Sequence, residues 1–314
     1  MWPNDFQTRL QQLYGDEGAS AVLRTMQQPK AIALWDNPLR AGELGTLADE
    51  LSVPGQPIGE PPLPGVRRFE ADRREAIMRH DLVSSGALYP INPSSLIAAR
   101  ALGVQSGDEV LDLAAAPGGK SLLLVADLTV DGQATGRLAA VESVKPRFHR
   151  LRANLARCGV QQVDYYLRDG RGVGRAVPER FDRVLLDAPC SSEARFHASE
   201  PGSWAHWSVR KVRECARKQR GLIDSAFRAL KPGGTLVYCT CAMAPEENEL
   251  VIAWLLRRYE QAFLKSPHAL GVPAARLAAP VTQWRGREVD VSGVTRVLPD
   301  DLWDGFFLAR LGKR

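Results

Sequence analysis

No apolar run in this chain approaches the ~20 residues that a helical membrane span needs. The opening segment, MWPNDFQTRL, has neither the basic nor the apolar region of a secretory signal, so a cytoplasmic protein is expected. Cysteine is scarce: five residues, at 158, 190, 215, 239 and 241, an odd number without framework spacing, which argues against a disulfide scaffold. Cys239-x-Cys241 has no second Cys or His pair at ligand spacing, and no metal site is expected. Internal repeats and low-complexity segments are also missing, as is the dinucleotide fingerprint G-x-G-x-x-G.

What is present is an ordinary globular composition, 45% apolar and 25% charged, over 314 residues, enough for about two domains. Lys plus Arg exceed Asp plus Glu by 41 − 36 = +5, a bias that permits nucleic acid as a partner without demanding it.

The chain is organised around Glu109 to Ser121, EVLDLAAAPGGKS. Its apolar run reads as a buried parallel strand, Pro117-Gly118-Gly119 as a turn, and Lys120 to Leu128 as a helix. In a doubly wound sheet this first turn faces the crevice that receives a ligand. The phosphate loop G-x-x-x-x-G-K-[ST] fails only where Ala114 replaces glycine, so an NTPase using Lys120 and Asp187 stands as a rival. Pro117 counts against it, because proline has no N–H to offer a phosphate.

Strands are expected at 109–114, 137–142, 163–167, 181–187 and 234–239, alternating with helices at 119–128, 145–158 and 208–230, the pattern of a mainly parallel sheet. A helix over 245–259 and two late strands, Val294–Leu298 and Gly305–Leu311, paired antiparallel at one edge, complete the pattern. Upstream, helices over 5–14 and 17–28, strands at Ala31–Trp35 and Val66–Ala71, a helix at Ala41–Leu51 and a loop over Pro54–Pro64 are expected.

Acids end successive strands. Glu142 closes the second, about twenty residues past the turn, where a carboxylate can accept from ribose hydroxyls, and Asp169 follows the third, within reach of an adenine amino group. The fourth strand ends in Asp187-Ala188-Pro189-Cys190 and the fifth in Cys239-Thr240-Cys241. Because these strands neighbour the first, Asp187, Cys190 and Cys241 should converge on one crevice.

These segments, INPSS from Ile91, AAAPGGK, ESVKPRFHRLRANLARCG, LLDAPCS, LKPGG, TCAMAPEENE and DGFFLARL, resemble the Nop/Sun (RsmB-like) RNA cytosine-5 methyltransferases from about Tyr89 to Lys313. The sequence departs from that pattern at Cys239, where serine is common, at Ile91, where glutamine is common, and in Trp35-Asp36-Asn37-Pro38, a partial match to an arginine-x-asparagine segment. The resemblance implies that S-adenosylmethionine lies along Ala114, Ala115, Ala116, Pro117, Gly118, Gly119 and Lys120, with Glu142 on its ribose, Asp169 near its adenine and Asp187 closing the site. It also implies that Cys241 is the nucleophile; Cys190 is then placed to assist elimination and Asp187 to polarise the base.

On the helix over 208–230, Arg210, Arg213, Arg217 and Arg220 fall within about 80° of arc, opposite Val212, Cys215, Gln219, Leu222, Ile223 and Ala226. They form either a solvated face or a phosphate-contacting stripe, with Trp204 and Trp207 upstream available to stack on bases. The expected protein is therefore an α/β chain with a class I methyltransferase (Rossmann-like) sheet, mainly parallel with an antiparallel edge strand. An accessory, RNA-binding domain at 1–80 precedes a catalytic domain at 81–314. The reading is of a monomer using S-adenosylmethionine on structured ribosomal or transfer RNA, without metal or membrane. A catalytically silent RNA-binding factor is a third reading, weakened by the two cysteines.

Overall fold

The computed structural model describes residues 2–40, 47, 55–266 and 270–314. The first helix, α1 (Asn4–Thr25), is broken at Gly15, whose φ of 69° and ψ of 178° are non-helical, so the helical pair expected upstream is present as two segments. Strands β1 (Ile32–Asp36), β2 (Gln56–Pro57), β3 (Val66–Phe69) and β4 (Leu88–Pro90) form a small antiparallel sheet in the order β2-β3-β1-β4. The proline-rich stretch thus contributes a two-residue edge strand, the position where a missing N–H is tolerated. Asn37, just past β1, is fully buried, donating from Nδ2 to the carbonyls of Gly86 at 2.8 Å and Cys158 at 2.9 Å. The helix expected over Ala41–Leu51 lies, Leu47 apart, outside the described residues.

A helix not legible in the sequence, α2 (Pro93–Leu102), follows. Asn92 caps it by accepting from the Ser94 N–H at 2.9 Å, and Gly103 ends it in the left-handed conformation. Then come β5 (Glu109–Asp112), α3 (Gly119–Asp127), β6 (Arg137–Glu142), α4 (Lys145–Arg157), β7 (Asp164–Leu167), β8 (Phe181–Asp187), α5 (Val209–Ala229), β9 (Leu230–Thr240), α6 (Glu249–Arg258), β10 (Ala262–Leu264), β11 (Leu277–Ala278), β12 (Thr295–Val297) and β13 (Phe306–Lys313). The large sheet runs β11-β12-β13-β9-β8-β5-β6-β7, with β10 also on β13. From β9 to β7 every pairing is parallel, and β13 enters antiparallel between β9 and its outer neighbours. The late strands pair as expected, Thr295 opposite Leu308 and Val297 opposite Phe306.

The central strands read as continuous apolar runs because both sheet faces are covered: Val110, Leu185 and Val237 pack on one side, Leu111, Leu186 and Leu236 on the other. The basic helix α5 buries Val212, Cys215, Gln219, Leu222, Ile223 and Ala226, as its periodicity requires. One expected element is corrected. The helix over 245–259 starts only at Glu249, because the side chains of Glu247 and Asn248 are drawn inward as hydrogen-bond partners and Asn248 takes a non-helical φ of −115° and ψ of −103°.

Candidate active site

The turn after β5 is held from both sides. Gly118 has φ 110°, a conformation that favours glycine, and a Cβ on Gly119 would press on the Tyr89 hydroxyl at 3.2 Å. From α4, Arg147 donates to the Ala116 carbonyl at 2.8 Å and Asn154 to the Pro117 carbonyl at 2.9 Å. Lys120 does not turn into the loop as a phosphate-loop lysine would: its Nζ donates to Asp187 at 2.7 Å and to Ser95 Oγ at 3.2 Å. Beneath it Ser121 donates to the buried Asp112 at 2.7 Å, and burial pushes that carboxyl up to about 6.

Glu142, 3% exposed at the end of β6, accepts from the Val144 N–H at 2.9 Å and lies 3.7 Å from Arg147 Nε. Asp169 is exposed and held in a two-pronged contact by Arg171, with Nη2 to Oδ2 at 2.6 Å; that hydrogen bonding keeps its carboxyl below the usual range.

Cys190 and Cys241, 51 residues apart, face each other with sulfurs 3.3 Å apart, and Cys190 also lies 3.8 Å from Ser192 Oγ. They leave adjacent parallel strands, β8 and β9, at neighbouring register: Asp187 is opposite Cys239. Their ionisation differs in direction. The hydrogen bond with Cys190 and the guanidinium of Arg195 draw the Cys241 thiol down to about 7, whereas the same hydrogen bond and burial push Cys190 well up. The two directions favour the proton on Cys190 and the negative charge on Cys241, although either sulfur of the contact can be the donor. Cys239 is fully buried, raised by burial, and touches Asp187 Oδ1 at 3.8 Å.

Arg195 was not legible in the sequence, because nothing local distinguishes it from a surface arginine. Neither was the frame behind Cys241. Buried Glu193 accepts from the Met243 and Ala244 N–H groups at 2.8 Å each and from Trp207 Nε1 at 2.9 Å. Glu247 accepts from Ser191 N–H at 3.0 Å and Gln219 Nε2 at 2.8 Å, and burial pushes it up to about 8. Asn248 bonds Thr240 Oγ1 at 2.6 Å and the Ala242 carbonyl at 2.8 Å. The acid-rich run after Cys241 was the one available signal, and its side chains serve to fix the two cysteine loops.

The tryptophans expected to stack on bases are engaged elsewhere: Trp204 lies on Trp2 at 4.5 Å between ring centroids, and Trp207 meets Phe6 edge-on at 5.5 Å. Along the helix stripe Arg213 and Arg217 are exposed. Arg210 pairs with Glu214 at 2.9 Å, and Arg220 is half-buried, its charge disfavoured by burial and by Arg257 and Arg287. Among the described residues no group of three or more His, Cys, Asp or Glu is arranged to hold a metal, and no helix is long and apolar enough to cross a membrane.

Five parallel strands ordered 3-2-1-4-5, an antiparallel strand inserted beyond the fifth, and an acid ending the second strand define a class I, Rossmann-like methyltransferase fold. Residues 99–312 match the family model described as 16S rRNA methyltransferase RsmB/F, and the chain belongs to that family. Ribosomal RNA small subunit methyltransferase F of Escherichia coli O9:H4 (strain HS) is 40% identical over 233 residues, 73% of this chain and 45% of that protein. The chain thus spans less than half the length of this curated relative. Among solved structures, a methyltransferase homolog protein from Pyrococcus horikoshii superposes with a TM-score of 0.79 at 27% identity, covering 100% of this chain and 96% of that one. NSun6 from Pyrococcus horikoshii with SFG gives 0.78 at 20% identity over 99% and 98%, a likeness of fold.

Proposed function

We propose that this chain transfers a methyl group from S-adenosylmethionine to carbon 5 of a cytidine in structured RNA, ribosomal RNA first, through a covalent adduct on Cys241. The observation that carries this reading is the pair of cysteine sulfurs 3.3 Å apart at the ends of adjacent strands beside Asp187, one thiol drawn down and the other pushed up.

The residues suit the cofactor. The loop packs closely at Gly118 and Gly119, and Glu142 uses the Val144 N–H, a 3.5 Å contact from Ser143 Oγ and one long ion pair, leaving lone pairs for ribose hydroxyls. Asp169 is the candidate for the adenine amino group, by exchange with Arg171. S-Adenosylmethionine, when bound, supplies an electrophilic methyl group.

Carbon 5 of cytosine is a weak nucleophile until a thiolate adds to carbon 6. The Cys241 thiolate forms that bond, and the displaced electron pair moves toward ring nitrogen 3. Asp187 is placed to relay a proton to ring nitrogen 3 from the Lys120 ammonium, which donates to its Oδ2 at 2.7 Å, so that nitrogen 3 becomes N–H as the sulfur–carbon bond forms. Once carbon 5 carries the methyl group, a water molecule hydrogen-bonded to the protonated Cys190 takes the carbon 5 proton away to solvent. The Cys241–carbon 6 bond then breaks and the electron pair returns to Cys241 sulfur. Residues 1–80 act as the RNA-binding accessory domain and 81–314 as the catalytic one, with β4 tying the second to the sheet of the first. The exposed Arg213 and Arg217 extend the RNA-binding surface.

Incubation with methyl-labelled S-adenosylmethionine and ribosomal RNA, followed by bisulfite mapping, should place the label on cytosine carbon 5. Label on another base or on ribose would sink the reading. Stabilisation against heat by ATP but not by S-adenosylhomocysteine would favour the NTPase instead.

A further inference from the structure

A second feature near the cysteines is a cleft of about 310 Å³ whose wall includes Lys30, Arg74, Arg195, His197, Glu200 and Asp304. Three separate parts of the chain supply its cations. Lys30 lies between α1 and β1, Arg74 opens a short helix after β3, and Arg195 ends the single turn that follows Cys190. Asp304 orders them from the side: its carboxylate is 3.8 Å from Arg195 Nε and is drawn on by Lys30 and Arg74 as well. Among the described residues, half-buried Lys30 donates to the Asp300 carbonyl and Arg74 has no ion pair. Three cations thus share the cleft wall with two acidic side chains, Asp304 and Glu200. The cleft lies beside the reaction centre, because its wall includes Ala194, whose N–H donates to the Cys241 carbonyl at 3.0 Å.

We propose that this cleft binds one RNA backbone phosphodiester beside the target cytidine, with Arg74 and Lys30 as its ligands and Arg195 bridging from the phosphate to the cysteine pair. The proposal rests on the RNA-methyltransferase reading and deepens it. A base that leaves its stack to reach Cys241 carries its sugar-phosphate with it, and anchoring one flanking phosphate fixes the ring over the thiolate. A phosphodiester carries a single negative charge, which Lys30 and Arg74 on the cleft wall are suited to meet. The cleft, unlike the stripe on α5, is beside the cysteines, so it acts on the reacting nucleotide rather than on distant RNA.

The test uses Arg74→Gln, an exposed position that folding should tolerate, and Lys30→Gln as a second variant. The probes are an RNA hairpin bearing the mapped cytidine and the same RNA with one uncharged methylphosphonate next to it. Binding is followed by fluorescence anisotropy across a salt series. Each variant should bind the native hairpin about tenfold more weakly, with the salt slope reduced by roughly 0.7, while S-adenosylhomocysteine affinity stays unchanged. At one flanking position the methylphosphonate should weaken wild-type binding yet cost Arg74→Gln nothing further. Unchanged affinity and slope in both variants, or an equal methylphosphonate penalty in wild type and variant at every flanking position, would overturn the cleft assignment while leaving the methyltransferase reading intact. Failure of the wild type to label cytosine carbon 5 would overturn that reading instead.

Discussion

Cys190 and Cys241 are the same side chain in two electrostatic settings. Cys241 has a donor thiol at 3.3 Å and the Arg195 guanidinium facing it, so its thiolate is favoured, while Cys190 carries the proton. Cys241→Ala should abolish both product and covalent complex. Cys190→Ala should let the adduct form but hinder its release, so that enzyme accumulates bound to RNA as a slow band on a denaturing gel, removed by ribonuclease. If the trapped band appeared with Cys241→Ala instead, the two roles would have to be exchanged. A pH series tests the same assignment without RNA. A thiol whose folded value is depressed is ionised above that value, so alkylation of Cys241 by iodoacetamide should rise through about pH 7 and level off above it. In Arg195→Gln the loss of the cation should move the rise to higher pH; an identical profile would remove Arg195 from the nucleophile's surroundings.

At the scale of elements, the segment between β9 and α6 is a frame built from buried carboxylates. Glu249 and Arg296 meet in a two-pronged ion pair, Nη2 to Oε2 at 2.6 Å, with side chains 0% and 3% exposed, and Arg296 also donates to the Met243 carbonyl at 3.1 Å. Removing one partner leaves a buried charge, so Arg296→Met should cost about 3–5 kcal/mol in denaturant unfolding. Pairing it with Glu249→Leu should recover a large part of that loss. Equal losses in the single and double variants would mean that the packing of Arg296, and not the unpaired carboxylate, sets the cost.

Across the whole molecule, α1 closes over the cysteine loops although it is remote in sequence. Phe6, 1% exposed, packs against Phe196 at 5.1 Å and Trp207 at 5.5 Å, and Arg9 reaches Glu246 at 2.6 Å. Phe6→Ala should therefore destabilise the protein by about 3–5 kcal/mol and, by loosening the segment that carries Arg195, lower kcat more than cofactor affinity. A variant with full stability, measured by thermal unfolding, would show that α1 is dispensable to the core.

Local chemistry in the sequence determined the parallel strands, the glycine turn after β5, the apolar side of α5, and the meeting of Cys190 and Cys241, because periodicity and strand order dictate which residues share an edge. The same sequence could not reveal the late start of α6, since Pro245 and the following acids are good opening residues for a helix and only their buried partners, Ser191, Gln219 and Thr240, pull them out of it. Nor could it reveal that Trp204 would be taken up by Trp2 and Trp207 by Phe6 of α1, or that Lys30, Arg74 and Arg195, from three separate segments, would line one cleft. Those outcomes depend on contacts between residues far apart in the chain, which carry no period and no motif. Tertiary structure alone decided them, by deciding which charges and rings come to face one another once the core is packed.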